Sequence, residues 1–175
     1  MKIAITGKMC SGKSTISQII KELDNRYEVF SYGKKVKEVA SDLFEMDPSV
    51  KDRSLLINVA TKMREIDPDV WSKYVIKQTK NKEYCLIDDL RFQNELDELI
   101  KNNWIIIQLC ISDEEQNKRI KSLYPETYED HIKNKSHLSE KNELNYPENY
   151  PQLTLNTDKL SREEVKDLFK DYINL

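Results

Sequence analysis

The sequence predicts an α/β fold, with a parallel β-sheet covered by helices on both faces. Three observations predict it. Short apolar runs alternate with amphipathic stretches along the chain, the pattern of strand–helix units. The run over residues 104–111 is apolar at nearly every position, as a strand covered on both faces must be. The first apolar run ends in a glycine loop that leads directly into a helical pattern.

The elements follow in order. Residues 2–6 read as a buried strand, and residues 14–23 show helical spacing through Ile16, Ile19, Ile20 and Leu23. Residues 27–31 form a second strand. Residues 34–46 are helical, with Val36, Val39, Ala40, Leu43 and Phe44 on one face, and Asp47-Pro48 breaks the pattern. A helix is expected over 53–66. Asp67-Pro68 then reads as a cap followed by proline at the first helical position, starting a helix that runs to about residue 80. Residues 84–88 form an apolar strand ending in acid, 94–101 a helix and 104–111 the strongest strand. The helix over 113–123 carries acids early and bases late, which suits the helix dipole. Residues 124–151 are polar, contain Pro125, Pro147 and Pro151, and read as either a lid or a surface excursion. A short strand at 153–155 and an amphipathic helix at 161–173 close the chain, the latter opened by a Ser161-x-x-Glu164 capping box.

Composition bounds the function. The 175 residues suit one domain without a repeat. With 28 basic and 31 acidic residues the net charge is −3, which argues against a generic nucleic-acid-binding face. No apolar stretch approaches membrane-helix length, and the first six residues are too short for a signal peptide. Cys10, Cys85 and Cys110 are an odd number without zinc spacing, so a reduced cytoplasm is the expected compartment. Of three glycines, Gly7 and Gly12 lie in the loop after the first strand.

That loop, Gly7-Lys8-Met9-Cys10-Ser11-Gly12-Lys13-Ser14, matches Gly-x-x-x-x-Gly-Lys-Ser/Thr at every fixed position. Such a loop wraps phosphates with backbone N–H groups, and the helix behind it offers its positive end. Lys13 is expected to bridge the β- and γ-phosphates, Ser14 to ligate Mg²⁺, and Thr15 to support the loop. The loop implies a bound nucleotide phosphate with Mg²⁺ and does not by itself separate a kinase from a GTPase, an ATPase motor or a regulator. Downstream, a strand ends in Asp88-Asp89, at the sheet edge where ligands bind. There Asp88 and Asp89 are candidates to hold a metal or its waters, or they simply start a loop. Arg91 lies near a helix start, where a guanidinium opposes the dipole unless an anion joins it. Arg64 is a second candidate for a substrate phosphate. Arg119 and Lys121 precede the polar segment, and Arg119 is the candidate arginine for the transferring group. Tyr32, Trp71, Tyr74 and Phe92 are aromatics that either stack on a base or pack in the core. His131 and His137 are the only histidines, and a histidine in a polar loop is more often exposed than catalytic. The guanine-reading Asn-Lys-x-Asp sequence of GTPases does not occur.

Several segments together resemble viral and bacteriophage deoxynucleoside monophosphate kinases of the P-loop superfamily. They are Gly7 to Ser14, the stretch from Leu55 through Arg64-Glu65-Ile66-Asp67-Pro68-Asp69-Val70-Trp71, the run Asp89-Leu90-Arg91-Phe92-Gln93-Asn94-Glu95, and His137-Leu138-Ser139-Glu140. The resemblance implies a three-layer α/β/α P-loop fold with a five-stranded parallel sheet. It also implies a helical substrate-binding region at about 34–80 and a lid-like segment at about 119–150. It implies ATP-dependent phosphorylation of a deoxynucleoside 5′-monophosphate, with Lys13, Arg91 and Arg119 catalytic. Arg64, Trp71, Asp89 and Arg91 would meet the substrate, Ser14 and Asp88 the metal, and Asn156 and Thr157 the adenine. Ala60 stands before Thr61 where the family usually has glycine. Kinases of dephospho-coenzyme A or phosphomevalonate, a nucleic-acid-end kinase and a non-catalytic nucleotide-binding regulator are the alternative readings. The expected partner is a small nucleotide, with no nucleic acid or membrane, and the chain is expected to be a monomer or homodimer in the cytoplasm, the host's if it is viral.

Overall fold

The computed structural model describes residues 1–47, 52–135, 144–148, 150 and 152–173. Five strands, β1 (Lys2–Gly7), β2 (Glu28–Phe30), β3 (Cys85–Leu90), β4 (Ile105–Cys110) and β5 (Gln152–Asn156), form one sheet in the order β2-β3-β1-β4-β5. Every pairing is parallel. Parallel strands need crossovers, and helices supply them. They are α1 (Lys13–Leu23), α2 (Tyr32–Phe44), α3 (Arg53–Ile66), α4 (Val70–Thr79), α5 (Gln93–Lys101), α6 (Asp113–Leu123), α7 (Tyr128–Asn134) and α8 (Arg162–Ile173). The expected α/β architecture is the observed one.

Strand alternation divides the apolar residues between two cores. Ile3, Ile5, Leu86, Ile107 and Leu109 point to one face, where α1 and α8 bring Ile16, Ile19, Ile20, Val165 and Phe169. Ala4, Cys85, Ile87 and Ile106 point to the other, where α2 to α5 bring Val36, Ala40, Val59, Trp71, Val75, Leu96 and Leu99. The sheet is covered on both faces, which is why its strands read as nearly continuous apolar runs.

Four boundaries differ from the sequence reading, each for a physical reason. Helix α2 begins at Tyr32 rather than residue 34, because the Ser31 hydroxyl caps it by accepting from Lys34 N. Helix α4 begins at Val70, so Pro68 precedes the helix instead of opening it. Asp67 makes a turn on itself there: its carboxylate accepts from Asp69 N at 3.0 Å and its carbonyl from Val70 N at 3.0 Å. Strand β3 continues through both acids to Leu90. Its register with β1 slips there, Ala4 facing Ile87 but Thr6 facing Leu90, so β3 carries one extra residue. The slip returns Leu90 to the α2–α5 core, and Thr6 Oγ1 secures it by donating to Leu90 O at 2.9 Å. Finally, the polar stretch after α6 is not uniformly polar in its packing. It folds into a 3₁₀ turn and α7, and its return leg brings Leu144, Tyr146 and Tyr150 against the α2–α5 core, with Tyr150 OH donating to Trp104 O.

Leu86 lies in the α1–α8 core with no exposure. Leu86→Ala is expected to cost about 2–5 kcal/mol of stability, the range for truncating a buried leucine, read as a lower midpoint in urea unfolding.

Candidate functional site

Helix α1 starts directly behind the loop that leaves β1, and the loop's backbone shows what the sequence required of it. Gly7 has φ +152°, Cys10 +60° and Gly12 +97°. A Cβ on Gly7 would lie 2.6 Å from Ser11 Oγ and 2.9 Å from Leu109 O, so no side chain fits there. The N-terminus of α1 has no side-chain cap and no acid in its first turn. Its first N–H groups are therefore available to an anion.

Lys13 is buried, and its ammonium donates to Gly7 O at 2.7 Å and Lys8 O at 2.8 Å. The lysine is thus held across the mouth of its own loop. Ser11 Oγ is buried with no hydrogen-bond partner among the described residues, a polar atom that a phosphate oxygen would satisfy. Ser14 and Thr15 are exposed in the first turn of α1. Lys8 turns away to Asp113, at 3.3 Å.

Helix α6 braces the loop from the side. Gln116 Nε2 donates to Met9 O at 2.8 Å. Arg119 donates from Nη1 to Cys10 O at 3.4 Å, from Nη2 to Thr157 O at 2.6 Å, and from Nε to Glu115 Oε1 at 2.9 Å. Residues of the loop, Arg119, Tyr124, Thr157, Leu160 and Arg162 line a cleft of about 580 Å³ beside α1. Thr157 lines it, whereas Asn156 is exposed and its side chain accepts from Asp158 N at 3.0 Å.

The two acids of β3 are sent to opposite faces. Asp88 lies on the α1 side, where Ser17 and Lys13 are its partners. Its carboxyl is raised above the ordinary range, first by burial and next by the charge of Asp89, while Lys13 and the Ser17 hydroxyl act to lower it. Asp89 lies on the α2 side. It accepts from Ser31 Oγ at 2.7 Å, Tyr32 N at 3.1 Å and Gly33 N at 2.8 Å. Asp89 is thus an anchor for the start of α2.

The donor set at the loop suits magnesium. This ion takes oxygen ligands and keeps several waters when it binds with phosphates, and the Ser14 hydroxyl and Asp88 carboxylate are groups of that kind. Among the described residues no group of three or more His, Cys, Asp and Glu converges.

On the α2–α5 side, Arg64 lies at the last turn of α3 and its guanidinium stacks over Phe92, 4.2 Å from the ring centroid. It reaches Glu95 Oε1 at 3.4 Å. Glu95 Oε2 accepts from Arg91 N at 3.0 Å and Phe92 N at 3.1 Å. The Arg64 and Arg91 positions therefore meet through one carboxylate. Trp71 is 3% exposed, in the core, with its indole N–H donating to Ala60 O at 3.2 Å; it packs this region from below and presents no open ring face. Tyr32 is buried too. His131 is buried rather than exposed, its Nδ1 2.8 Å from Thr127 O and its ring stacked on Tyr124. His137-Leu138-Ser139-Glu140 lies outside the described residues.

Sequence reasoning left Gln116, Ser17, Ser31 and Glu95 without roles. Gln116 had a signal, since it stands three residues before Arg119 and so shares its helix face. Ser31 and Asp89 are 58 positions apart, and local pattern does not link them.

A family model described as AAA domain matches residues 3–143, from the first strand into the polar segment. The chain belongs to the AAA domain family. Its fold is that of P-loop kinases in solved structures. It is similar to a gluconokinase from Sinorhizobium meliloti, with 11% identity, TM-score 0.57, and coverage of 99% of this chain and 95% of that one. It is similar to deoxyadenosine kinase from M. mycoides, solved with dCMP and dCDP, with 22% identity, TM-score 0.53 and 99% of each chain covered. Shikimate kinase from Bacteroides thetaiotaomicron gives 13% identity and TM-score 0.55, over 100% of this chain and 99% of that one. No curated protein matches the sequence. No helix of this AAA domain among the described residues is long and apolar enough to cross a membrane.

Gly7→Ala is expected to abolish ATP binding, because the added methyl displaces Ser11 or the Leu109 backbone. Isothermal calorimetry with ATP and magnesium reads it. Gly12→Ala meets no neighbour within 4 Å but keeps φ at +97°, so it is expected to cost about 1 kcal/mol of backbone strain and to weaken binding less.

Proposed function

We propose that the protein transfers the γ-phosphoryl group of ATP to the phosphate of a deoxynucleoside 5′-monophosphate, giving the diphosphate. The observation that carries the reading is the pairing of two anion-ready sides at one sheet edge. The loop and the open end of α1 make one side. Arg64 and the Arg91 turn, linked through Glu95, make the other. An enzyme that joins two phosphates needs both.

The acceptor phosphate is largely ionised at neutral pH, so no residue needs to act as a strong base. Catalysis then rests on alignment and charge neutralisation. In this reading the loop N–H groups and Lys13 hold the donor phosphates, and Lys13 exchanges its loop carbonyls for phosphate oxygens. Arg119 lies along the cleft beside Thr157 and steadies the loop through Cys10 O. Arg64 and Arg91 hold the acceptor, since a guanidinium fork bonds phosphate oxygens in pairs. Magnesium, held by Ser14 and through Asp88, would neutralise charge between the β- and γ-phosphates. Asp89 supports the acceptor side by fixing the start of α2. The enzyme would act on soluble nucleotides in a cytoplasm.

Solved kinases that share the fold at low identity include ones named for gluconate, shikimate and deoxyadenosine. The test is an ADP-release assay over dNMPs, NMPs, deoxynucleosides, dephospho-coenzyme A, phosphomevalonate, shikimate and gluconate. The highest kcat/KM is expected for a dNMP. Turnover of a hydroxyl acceptor alone sinks the proposal, and ATP binding without turnover favours a regulator. Lys13→Ala is expected to lower turnover by about a thousandfold or more, the loss typical of removing a principal charge stabiliser; near-normal rates in that variant remove the loop from the chemistry. Arg91→Ala is expected to raise the acceptor KM while leaving that of ATP within about twofold.

A further inference from the structure

Glu95 is the most deeply buried carboxylate near the candidate acceptor side. It is 2% exposed, so it does not meet a ligand directly. A buried charge costs free energy unless it is paired and hydrogen-bonded, and Glu95 uses both oxygens. One accepts the Arg91 and Phe92 amides, and the other faces Arg64. The amide contacts belong to the start of α5, where a carboxylate at the third helical position can reach back to the preceding N–H groups. The Arg64 contact is different in kind. It reaches from α5 to α3, across 31 positions of sequence, and contributes nothing to the helix start.

We propose that Glu95 is a positioning residue of the acceptor site: its carboxylate fixes the Arg91–Phe92 turn by the backbone and Arg64 by the guanidinium, and so sets where the two arginine positions meet an acceptor phosphate. The proposal rests on the kinase reading above and deepens it. Arg64 is clamped on two sides, with the Phe92 ring below it and Glu95 at its edge. A quarter of its side chain remains exposed. A guanidinium carries five N–H donors, so the clamp leaves an outer edge for a phosphate.

The clamp also responds to pH. Burial pushes the Glu95 carboxyl up to about 7, opposed by the Arg91 and Phe92 amides and by Arg64, and assisted by Asp89. The charged and titratable groups acting with it are Arg64 on α3, Asp89 on β3 and Tyr32 on α2, while Arg91 meets it through its backbone N–H. On its own helix Glu98 also acts on Tyr32, and at the start of α4 Asp69 is held by the neighbouring Asn94. Above pH 7 Glu95 is a carboxylate and holds Arg64. As pH falls through 7 it takes up a proton, the attraction for Arg64 is lost, and the arginine is released.

Two measurements test this. The first uses the protein without substrate and follows the Arg64 Nε–Hε resonance by NMR, assigned with Arg64→Lys, from about pH 5.5 to 8.5. The wild-type signal is expected to titrate with a midpoint near 7, and the Glu95→Gln signal to stay flat. A flat wild-type signal, or one that titrates equally in Glu95→Gln, overturns the proposal, and the wild-type titration decides even if the variant does not fold. The second measures KM for the best dNMP of the panel and for ATP. Glu95→Gln keeps an oxygen for the two amides but turns an NH₂ toward Arg64. Its acceptor KM is expected to rise about tenfold with the ATP KM within about twofold, and Glu95→Asp to recover part of the loss. The acceptor phosphate itself ionises near pH 6, so the pH profile of Glu95→Gln supplies the baseline. An acceptor KM equal to wild type in Glu95→Gln, while Arg64→Ala raises it, overturns the positioning role and leaves the kinase reading intact. A wild type that turns over no dNMP while its Arg64 signal titrates overturns the acceptor reading and upholds the Glu95–Arg64 link.

Discussion

The alternation of side chains along β3 organises the carboxyl edge of the sheet. Adjacent residues of a strand face opposite ways, so Asp88 and Asp89 cannot serve the same neighbour. Asp88 goes to the face of α1, beside Ser17 and Lys13. Asp89 goes to the face of α2 and secures three groups there. The extra residue at this point then sends Leu90 back into the α2–α5 core. The α1 side and the α2 side of this edge thereby each receive one of two consecutive residues of one strand, and Thr6 secures Leu90 where the register slips.

The fold was legible because this sheet is covered on both faces. Such strands must be apolar throughout, and β4 is the clearest case. The loop at residues 7–14 was legible because its constraints are local: positive φ at Gly7 and Gly12, and a helix beginning at once. Asp89 and Arg91 were legible as the end of an apolar strand and the helix start after it, and Arg64 as a candidate beside them, but their partners were not. Glu95 stood in the quoted motif as one acid among 31 acidic residues; burial and its reach to α3 distinguish it, and both are tertiary facts. Trp71 shows the opposite case. Its sequence context left stacking on a base and packing in the core both open, and the indole is core, with its N–H spent on Ala60.

The family match and the fold agree on the donor side and say little about the acceptor. The match ends at residue 143, and the solved relatives are 11–22% identical. At that distance the likeness shows the fold alone. Function resides in sites carried by a fold, so the acceptor assignment stands on the arginine positions and their shared carboxylate.

The uncapped start of α1 has a further consequence for the electric field of the molecule. Because all five strands are parallel, the helix following each one begins at the same edge. Asp89 sits at the N–H groups of α2, Glu95 at those of α5, and Asp113, Glu114 and Glu115 in the first turn of α6. Helix α8 carries Glu163 and Glu164. Four positive helix ends thus have a carboxylate of the protein beside them, whereas α1 has neither an acid in its first turn nor a side-chain cap. In a chain of net charge −3, that uncapped terminus keeps its positive field, so a polyanion approaching this edge is drawn toward the loop before any contact with its base.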